Sequence, residues 1–210
     1  MGYSKAQKTR THKRIVSIAS KRFREKGLAG FGIAELMKEA GLTVGGFYKH
    51  FGSRDDLVAE AVNSAFGGWQ RRLDAAKSGG PSVSLAKLVD EYLNETHRDN
   101  PGSGCAFSAL APEIARSDKR TRSLTSEQVR SDVQLIARLL PGRDKRAARS
   151  RAILIFSALV GAMSLARAVS DEALSREILE TVGELLKNSA VNQSFRQASY
   201  PRPSILPQFR

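Results

Sequence analysis

Apolar residues recur every three or four positions along almost the whole chain, which is the spacing of amphipathic helices. The first predicted helix covers residues 9–26, because Ile15 and Phe23 fall on one face of it. Gly27 follows this helix in the position of a C-terminal glycine. No apolar run bounded by turn residues has the alternation of a strand. The sequence therefore predicts an all-α protein of about nine helices.

The other predicted helices cover residues 33–40, 43–51, 53–73, 85–93, 105–116, 119–140, 152–166 and 174–186. Thr43, Ser53 and Ser170 are the predicted N-caps, since a hydroxyl can accept from the free amides of a first turn. Glycine and proline mark loops at residues 78–82 and 100–104, and three prolines exclude regular structure after residue 190.

Positive charge is concentrated at the amino end of the chain. The formal net charge is +13, and residues 1–55 hold 12 Lys/Arg against four Asp/Glu. Residues 56–190 are nearly balanced, with 19 basic and 17 acidic side chains, and residues 191–210 are basic again. A basic amino-terminal quarter beside a near-neutral body indicates binding to a polyanion. The alternative is a soluble protein whose surface is basic in general.

Several classes of protein are excluded by what the sequence lacks. One cysteine cannot form an internal disulfide, and the polar, basic first thirty residues do not form a secretory signal. Residues 152–166 are uncharged, but they fall short of the roughly 20 residues that span a bilayer. No catalytic triad, carboxylate pair or metal-ligand spacing occurs. We therefore expect a cytoplasmic protein that is neither an enzyme nor a membrane protein and that holds no metal or cofactor.

Residues 33–51 form two short predicted helices around a tight turn, which is the helix-turn-helix arrangement for reading the DNA major groove. Val44 offers methyl groups to a thymine methyl, and Gly45 and Gly46 allow close approach of the backbone. The polar side chains near them can bind phosphates without reading sequence. The predicted DNA-binding residues are Thr43, Val44, Gly45, Gly46, Tyr48, Lys49, His50 and Arg54.

The stretches GLTVGGFYKHF (residues 41–51) and SRDDL (residues 53–57) resemble the amino-terminal signature of TetR-family transcriptional regulators. The resemblance covers about the first 62 residues. It departs from the family where Phe31, Gly32 and Ile33 replace the usual Ser or Thr before the second helix, so DNA contacts should rest on the recognition helix and the basic arm. It implies a DNA-binding domain over residues 1–55, a ligand-binding and dimerisation domain over residues 56–190, and a separate tail over residues 191–210.

The resemblance also implies a repressor that binds a palindromic operator as a homodimer and leaves it when a small molecule binds. The effector is expected to be largely apolar. The residues predicted to line its pocket are Phe66, Trp69, Tyr92, Cys105, Phe107, Phe156 and Met163. Cys105 has two interpretations, a buried small apolar residue or a thiol that senses electrophiles or oxidants, as in some relatives.

The last two predicted helices are expected to form a four-helix bundle with a second copy of the chain. Small residues in the first of them would allow close approach of the helices. The predicted interface residues are Ser157, Ala158, Gly161, Ala162, Leu174, Ile178 and Val182. The alternative for this uncharged helix is a place at the centre of the monomer core.

Two other functions stay open from the residues alone. One is a helical small-molecule-binding protein or enzyme whose basic arm is incidental, and the other is an architectural DNA-binding protein. Salt-dependent binding to one palindrome, and not to random DNA, separates a specific regulator from both.

Overall fold

The computed structural model describes residues 5–66 and 84–191. These two ranges form nine α-helices and two 3-10 helices and contain no strand, so the all-α prediction is confirmed. The α-helices are α1 (Lys5–Lys26), α2 (Ile33–Glu39), α3 (Arg54–Ala65), α4 (Leu85–Tyr92), α5 (Glu95–Asp99), α6 (Ala106–Ile114), α7 (Lys119–Leu139), α8 (Lys145–Ala168) and α9 (Glu172–Val191). The 3-10 helices are Pro101–Ser103 and Val44–Lys49, and we call the second one the recognition helix.

Several helices begin or end at the glycine and cap residues that the sequence predicted. Gly27 ends α1 at a φ of +79°, and Gly41 follows α2 at a φ of +66°, a backbone region that other residues rarely adopt. The Ser53 hydroxyl accepts from the Asp56 amide at 3.0 Å and so caps α3, as predicted. The end of the helix predicted over residues 53–73, the loop at 78–82 and the tail after residue 191 lie outside the described residues.

Two predicted caps are wrong. The Thr43 side chain makes no capping hydrogen bond, because the segment after it winds as a 3-10 helix rather than as an α-helix. Asp171, and not Ser170, caps α9, since its carboxylate accepts from the amides of Ala173 and Leu174 at 2.8 and 3.2 Å.

The amino-terminal helices α1, α2 and α3 and the recognition helix share one core, and we call them the amino-terminal unit. The large side chains with no more than 1% exposure in this core are Ile15, Phe23, Leu36, Met37, Phe47, Leu57 and Val62. Each comes from an apolar position at helical spacing in the sequence. This core holds the recognition helix on the surface of the unit in one orientation.

The larger unit, α4 to α9, is arranged around α8, which packs between α7 and α9. One side of α8 is buried, with Leu159 and Met163 fully inaccessible, but Leu154 and Leu165 on the other side are 67% and 58% exposed. The alternative of a place at the centre of the monomer core, covered on every side, is therefore wrong. By length and composition α8 is the one described helix that could also span a membrane, a property shared by apolar core helices of soluble proteins.

Among the described residues, three polar contacts join the amino-terminal unit to the larger unit, and one of them is the ion pair of Asp56 in α3 with Arg120 in α7 at 2.7 Å. The Arg24 guanidinium of α1 donates to the carbonyl of Gly102, with an Nε–O distance of 3.1 Å. The Glu113 carboxylate of α6 accepts from the amide of Leu28, just beyond the end of α1. Both ends of α6 are thus tied to contacts with α1, because Gly102 shortly precedes α6 and Glu113 lies in its last turn.

Candidate functional site

The recognition helix is fixed from beneath by aromatic packing. Phe47 is fully buried, and its ring stacks on Phe51 at a centroid distance of 5.3 Å. In the same helix, Val44 is 51% and Tyr48 71% exposed. The arrangement presents a methyl-bearing side chain and a phenol to solvent on a rigid support, which is the geometry that major-groove reading requires.

The two glycines of the recognition helix differ in what surrounds them. A methyl group added at Gly45 would meet no atom within 4 Å, whereas one at Gly46 would lie 3.4 Å from the Met37 side chain. Gly46 therefore has a packing reason within the fold. Gly45 has none, so its absence of a side chain is better explained by a surface that approaches from outside.

The amino-terminal half of α1 supplies a basic surface in the same unit. Its exposed cations are Lys5, Lys8, Arg10, Lys13 and Arg14. Lys8 and Lys49 both contribute charge at His50, so the start of α1 lies near the end of the recognition helix. The basic arm and the helix can consequently face one polyanion together.

His50 is placed differently from the expectation of an outward-facing phosphate ligand. Its side chain is half-buried, and its Nδ1 is buried without a hydrogen-bond partner. Burial lowers the pKa of His50, and the charges of His12, Lys8 and Lys49 lower the pKa further. The ring is therefore neutral at physiological pH and could only offer one uncharged nitrogen to DNA.

The sequence analysis missed a contact of His12. Its Nε2 lies 2.6 Å from the Glu60 carboxylate of α3, and its ring stacks on Phe51 at 4.6 Å. His12 thus ties α1 to α3 behind the recognition helix. A histidine and a glutamate separated by 48 residues carry no local signal of such a pair.

Arg54 is engaged inside the protein. Its guanidinium donates to the carbonyl of Leu28 and lies 5.9 Å from the centroid of the Phe23 ring. These contacts close the loop between α1 and α2 over the start of α3. We leave Arg54 out of the proposed DNA surface for this reason.

A cavity of about 530 Å³ opens in the larger unit beside the amino-terminal unit, and residues of α1, α3 and α4 to α8 line it. Five of the predicted pocket residues line it: Phe66, Tyr92, Cys105, Phe107 and Phe156. Met163 does not, since this residue of α8 is fully buried in the core. Trp69 lies outside the described residues. The cavity is within the size range of small-molecule sites in proteins.

The cavity wall is more polar than the prediction of a largely apolar effector implies. Its polar side chains include Arg24, His97, Gln128 and Asp132, none of which the sequence analysis selected. Asp132 is 6% exposed, and burial raises its pKa to about 6. Burial also raises the pKa of Tyr92 well above its ordinary value, so that its phenol is neutral.

Hydrogen bonds and close packing hold His97 against the segment before α6, beside the cavity. The His97 Nδ1 lies 2.6 Å from the carbonyl of Tyr92, to which it must donate, and Nε2 accepts from the Cys105 amide at 3.0 Å. Gly104 has to be a glycine, because a methyl group there would lie 2.6 Å from the His97 ring. Arg167 links this segment to α8, because its guanidinium donates to the His97 carbonyl at 2.6 Å.

Exposed apolar side chains of α8 and α9, two helices that pack on each other, form an apolar surface. Its large members are Ile153, Leu154, Leu165, Leu174 and Leu185, with exposures between 42% and 67%. Of the predicted interface residues, Ser157 and Leu174 are exposed and Ala158, Gly161, Ile178 and Val182 are half-buried on this side. Ala162 is 4% exposed and belongs to the monomer core instead.

Comparison with known proteins connects the helix-turn-helix to one family. Residues 15–61 match the model described as "Bacterial regulatory proteins, tetR family". The HTH-type transcriptional repressor NemR of Escherichia coli K12 is 24% identical over 119 residues, which cover 55% of this chain and 60% of NemR. The HTH-type transcriptional regulator AcrR of Shigella flexneri is 31% identical over 94 residues, or 43% of each chain.

Solved structures show the same fold over most of the chain. The reduced form of E. coli NemR superposes with a TM-score of 0.69 at 20% identity, covering 85% of this chain and 96% of that one. A TetR-family regulator from Cytophaga hutchinsonii gives a TM-score of 0.70 at 20% identity, covering 92% and 100%. The similarity therefore extends through the larger unit as well as the amino-terminal one.

Proposed function

We propose that the chain is a transcriptional repressor of the tetR family, whose model matches residues 15–61, and that it acts in the cytoplasm. It binds a palindromic operator as a homodimer and releases it when a small molecule fills the cavity. The observation that carries the proposal is the recognition helix, held by buried Phe47 with Val44 and Tyr48 exposed beside a basic α1. An enzyme or carrier with an incidental basic arm would have no use for this arrangement.

The proposed DNA surface consists of the recognition helix and the start of α1. Val44 reads bases through its methyl groups, while Tyr48 and Lys49 bind phosphates. Selection of DNA fragments by the purified full-length chain, followed by sequencing, tests the proposal. Enrichment of one palindrome that the protein binds less tightly as salt increases would support it, and uniform recovery of unrelated fragments would contradict it.

Substitutions at Tyr48 and Val44 are expected to affect affinity and sequence preference separately. Removing the hydroxyl in Tyr48→Phe should weaken binding to all DNA sequences alike, by about tenfold, because a hydrogen bond to a charged phosphate contributes about 1.5 kcal/mol or more. Val44→Ala should instead change the preferred base, by about 1–3 kcal/mol between bases. Binding titrations at moderate salt with the selected operator and with single-base variants measure both. Unchanged affinity of Tyr48→Phe would contradict this placement of the helix.

A methyl group at Gly45 is expected to weaken DNA binding without weakening the fold. The free space around Gly45 means that Gly45→Ala should unfold at the same temperature as the wild type or higher. On DNA the methyl group should reduce operator affinity, because it separates the helix backbone from the groove. Gly183→Ala is the control, since a methyl group there would meet only the Leu93 and Val89 side chains at an ordinary 3.8 Å, on the side of α9 that packs on α4. Equal operator affinity of Gly45→Ala and wild type would show that the backbone does not approach DNA closely.

The proposed homodimer uses the apolar surface of α8 and α9. Leu154 and Leu165 lie on one stripe of α8, and Leu174 and Leu185 on a parallel stripe of α9. Two such helices from each chain form an antiparallel four-helix bundle around a two-fold axis. A dimer would place two recognition helices at a fixed separation, as reading of a palindrome requires.

The proposed effector site is the cavity in the larger unit. Its wall includes Phe107, near the start of α6, and the same helix holds Glu113 on the Leu28 amide. A ligand that displaces α6 would therefore disturb a direct contact with the amino-terminal unit. The role of Cys105 as a sensor stays a hypothesis. Its backbone amide donates a hydrogen bond to His97 Nε2.

A further inference from the structure

A buried carboxylate at the cavity wall has too few partners of its own. Asp132 of α7 is 6% exposed, and its single hydrogen bond among the described residues comes from the Gln128 side chain at 2.8 Å. No described cation forms an ion pair with it. An ionised carboxylate can accept about four hydrogen bonds, and buried carboxylates are ordinarily paired with a cation. Asp132 thus has unused capacity on the side that lines the cavity.

Three phenylalanine rings form another part of the wall of the same cavity. Phe66 stacks on Phe107 at a centroid distance of 5.1 Å, and Phe107 meets Phe156 edge to face at 5.3 Å. Aromatic rings bind apolar bodies, and their faces attract organic cations. The combination of aromatic surface with one buried acid is suited to a molecule that has both an apolar part and a positive charge.

The other ionisable side chains of the wall do not provide the missing positive charge. The guanidinium of Arg24 is occupied by the Gly102 carbonyl and by the Ser20 hydroxyl at 3.0 Å. Both ring nitrogens of His97 are engaged within the chain, since Nδ1 donates to the Tyr92 carbonyl and Nε2 accepts from the Cys105 amide.

We propose that the effector is an organic cation, an amine or ammonium compound with an aromatic or aliphatic body, whose positive group binds Asp132 while its body packs on Phe66, Phe107 and Phe156. The inference rests on the proposed function, in which this cavity is the effector site. A neutral ligand would leave the buried carboxylate unpaired. An anionic ligand would place a second negative charge beside the buried carboxylate.

Three molecules of one shape and different charge test this inference. Phenethylamine is a cation at neutral pH, phenethyl alcohol is neutral and phenylacetate is an anion. Binding to the full-length protein is measured by calorimetry and by protection of Cys105 from a thiol-reactive dye. Cys105 is the one cysteine of the chain and lines the cavity, so the dye reports on this site alone.

We expect the amine to bind at least tenfold more tightly than the alcohol, and the carboxylate not to bind. Asp132→Asn should remove this preference for the amine while leaving alcohol binding unchanged. The control is Asp90→Asn, which neutralises an exposed acid that pairs with Lys187 at 2.7 Å and does not line the cavity. This variant should retain the preference of the wild type.

Two results would overturn the inference. One is equal binding of amine and alcohol by the wild type, and the other is an amine preference that survives in Asp132→Asn. Circular dichroism of each variant confirms that the fold is intact before binding is compared. DNA selection is run on the same preparations, so that failure of the repressor proposal can be told apart from failure of the cation inference. Specific DNA binding without an amine preference removes only the cation inference, whereas an amine preference without specific DNA binding removes only the repressor.

Discussion

Replacing Leu154 and Leu165 together by glutamate is expected to convert the protein to monomers and to lower its affinity for a full operator by about 100-fold or more. Both side chains are more than half exposed on the surface of α8 that we propose as the dimer interface. A symmetric dimer contains each substitution twice, so four leucines are lost, and each buried leucine contributes about 1.5–3 kcal/mol. Four negative charges near the two-fold axis would repel one another in addition.

Sedimentation and operator titration measure the two effects on one preparation. The control is Ser123→Glu with Gln134→Glu, which adds the same charge at exposed positions of α7, outside the proposed interface. The control should stay dimeric and bind the operator. A leucine double variant that remains dimeric would place the interface elsewhere. If the double variant loses its helical circular dichroism, Leu154→Glu and Leu165→Glu are measured separately instead.

The choice of leucines over small residues shows what the sequence could not predict about this surface. The uncharged stretch of α8 has apolar residues on every side, so its periodicity does not tell which side faces the chain's own core. The sequence analysis selected Gly161 and Ala162 for their small size. The structure turns Ala162 inward and leaves Leu154 and Leu165 outward, because α7 and α9 cover the opposite side of the helix.

Local sequence signals predicted the amino-terminal unit well. Glycines that adopt positive φ end α1 and α2, and Ser53 caps α3, because these features depend on residues only a few positions apart. The same reasoning gave the wrong cap at Thr43. A capping hydroxyl assumes an α-helix after it, and the packing of Phe47 and Phe51 winds this segment as a 3-10 helix instead.

The polar part of the cavity wall could not be predicted from the sequence. Asp132 and Gln128 are four positions apart on a highly charged helix, where such a pair is usual on a solvated surface. Their burial results from the way α7 packs beside α8 and the aromatic residues of α6. Arg24 belongs to a helix assigned to DNA binding, and it reaches the cavity wall only because α1 contacts the segment that begins at Pro101.

Asp132→Asn is expected to make the ligand-free protein more stable by about 3 kcal/mol at neutral pH. Burial raises the pKa of Asp132 from 3.8 to about 6, and each pH unit of this difference corresponds to about 1.4 kcal/mol. Asparagine has the same shape without the charge and can still bond to Gln128. A carboxylate that weakens the fold by this amount is consistent with a side chain kept for a ligand rather than for stability.

The pH dependence of this difference has a definite sign. Below about pH 3, Asp132 is protonated in both the folded and the unfolded chain, and the two proteins should be equally stable. As the pH rises towards 6, the unfolded chain loses the proton first, so the wild type becomes progressively less stable than Asp132→Asn. Above about pH 7 the full difference of about 3 kcal/mol should be present. The stabilisation that Asp132 provides in its protonated form is thus lost between about pH 3 and pH 7.

Urea unfolding of both proteins across this pH range, at one protein concentration, measures the difference directly, because other titrating groups affect both alike. Asp90→Asn is the control, since loss of its exposed ion pair with Lys187 should change stability by no more than about 1 kcal/mol, with no step near pH 6. A variant at position 132 that is less stable than the wild type at neutral pH would mean that the carboxylate has a stabilising partner in the folded chain. Where Asp132→Asn is the more stable protein, phenethylamine should reduce the difference in free energy of unfolding between it and the wild type at pH 7, because a bound cation stabilises only the protein that retains the charge.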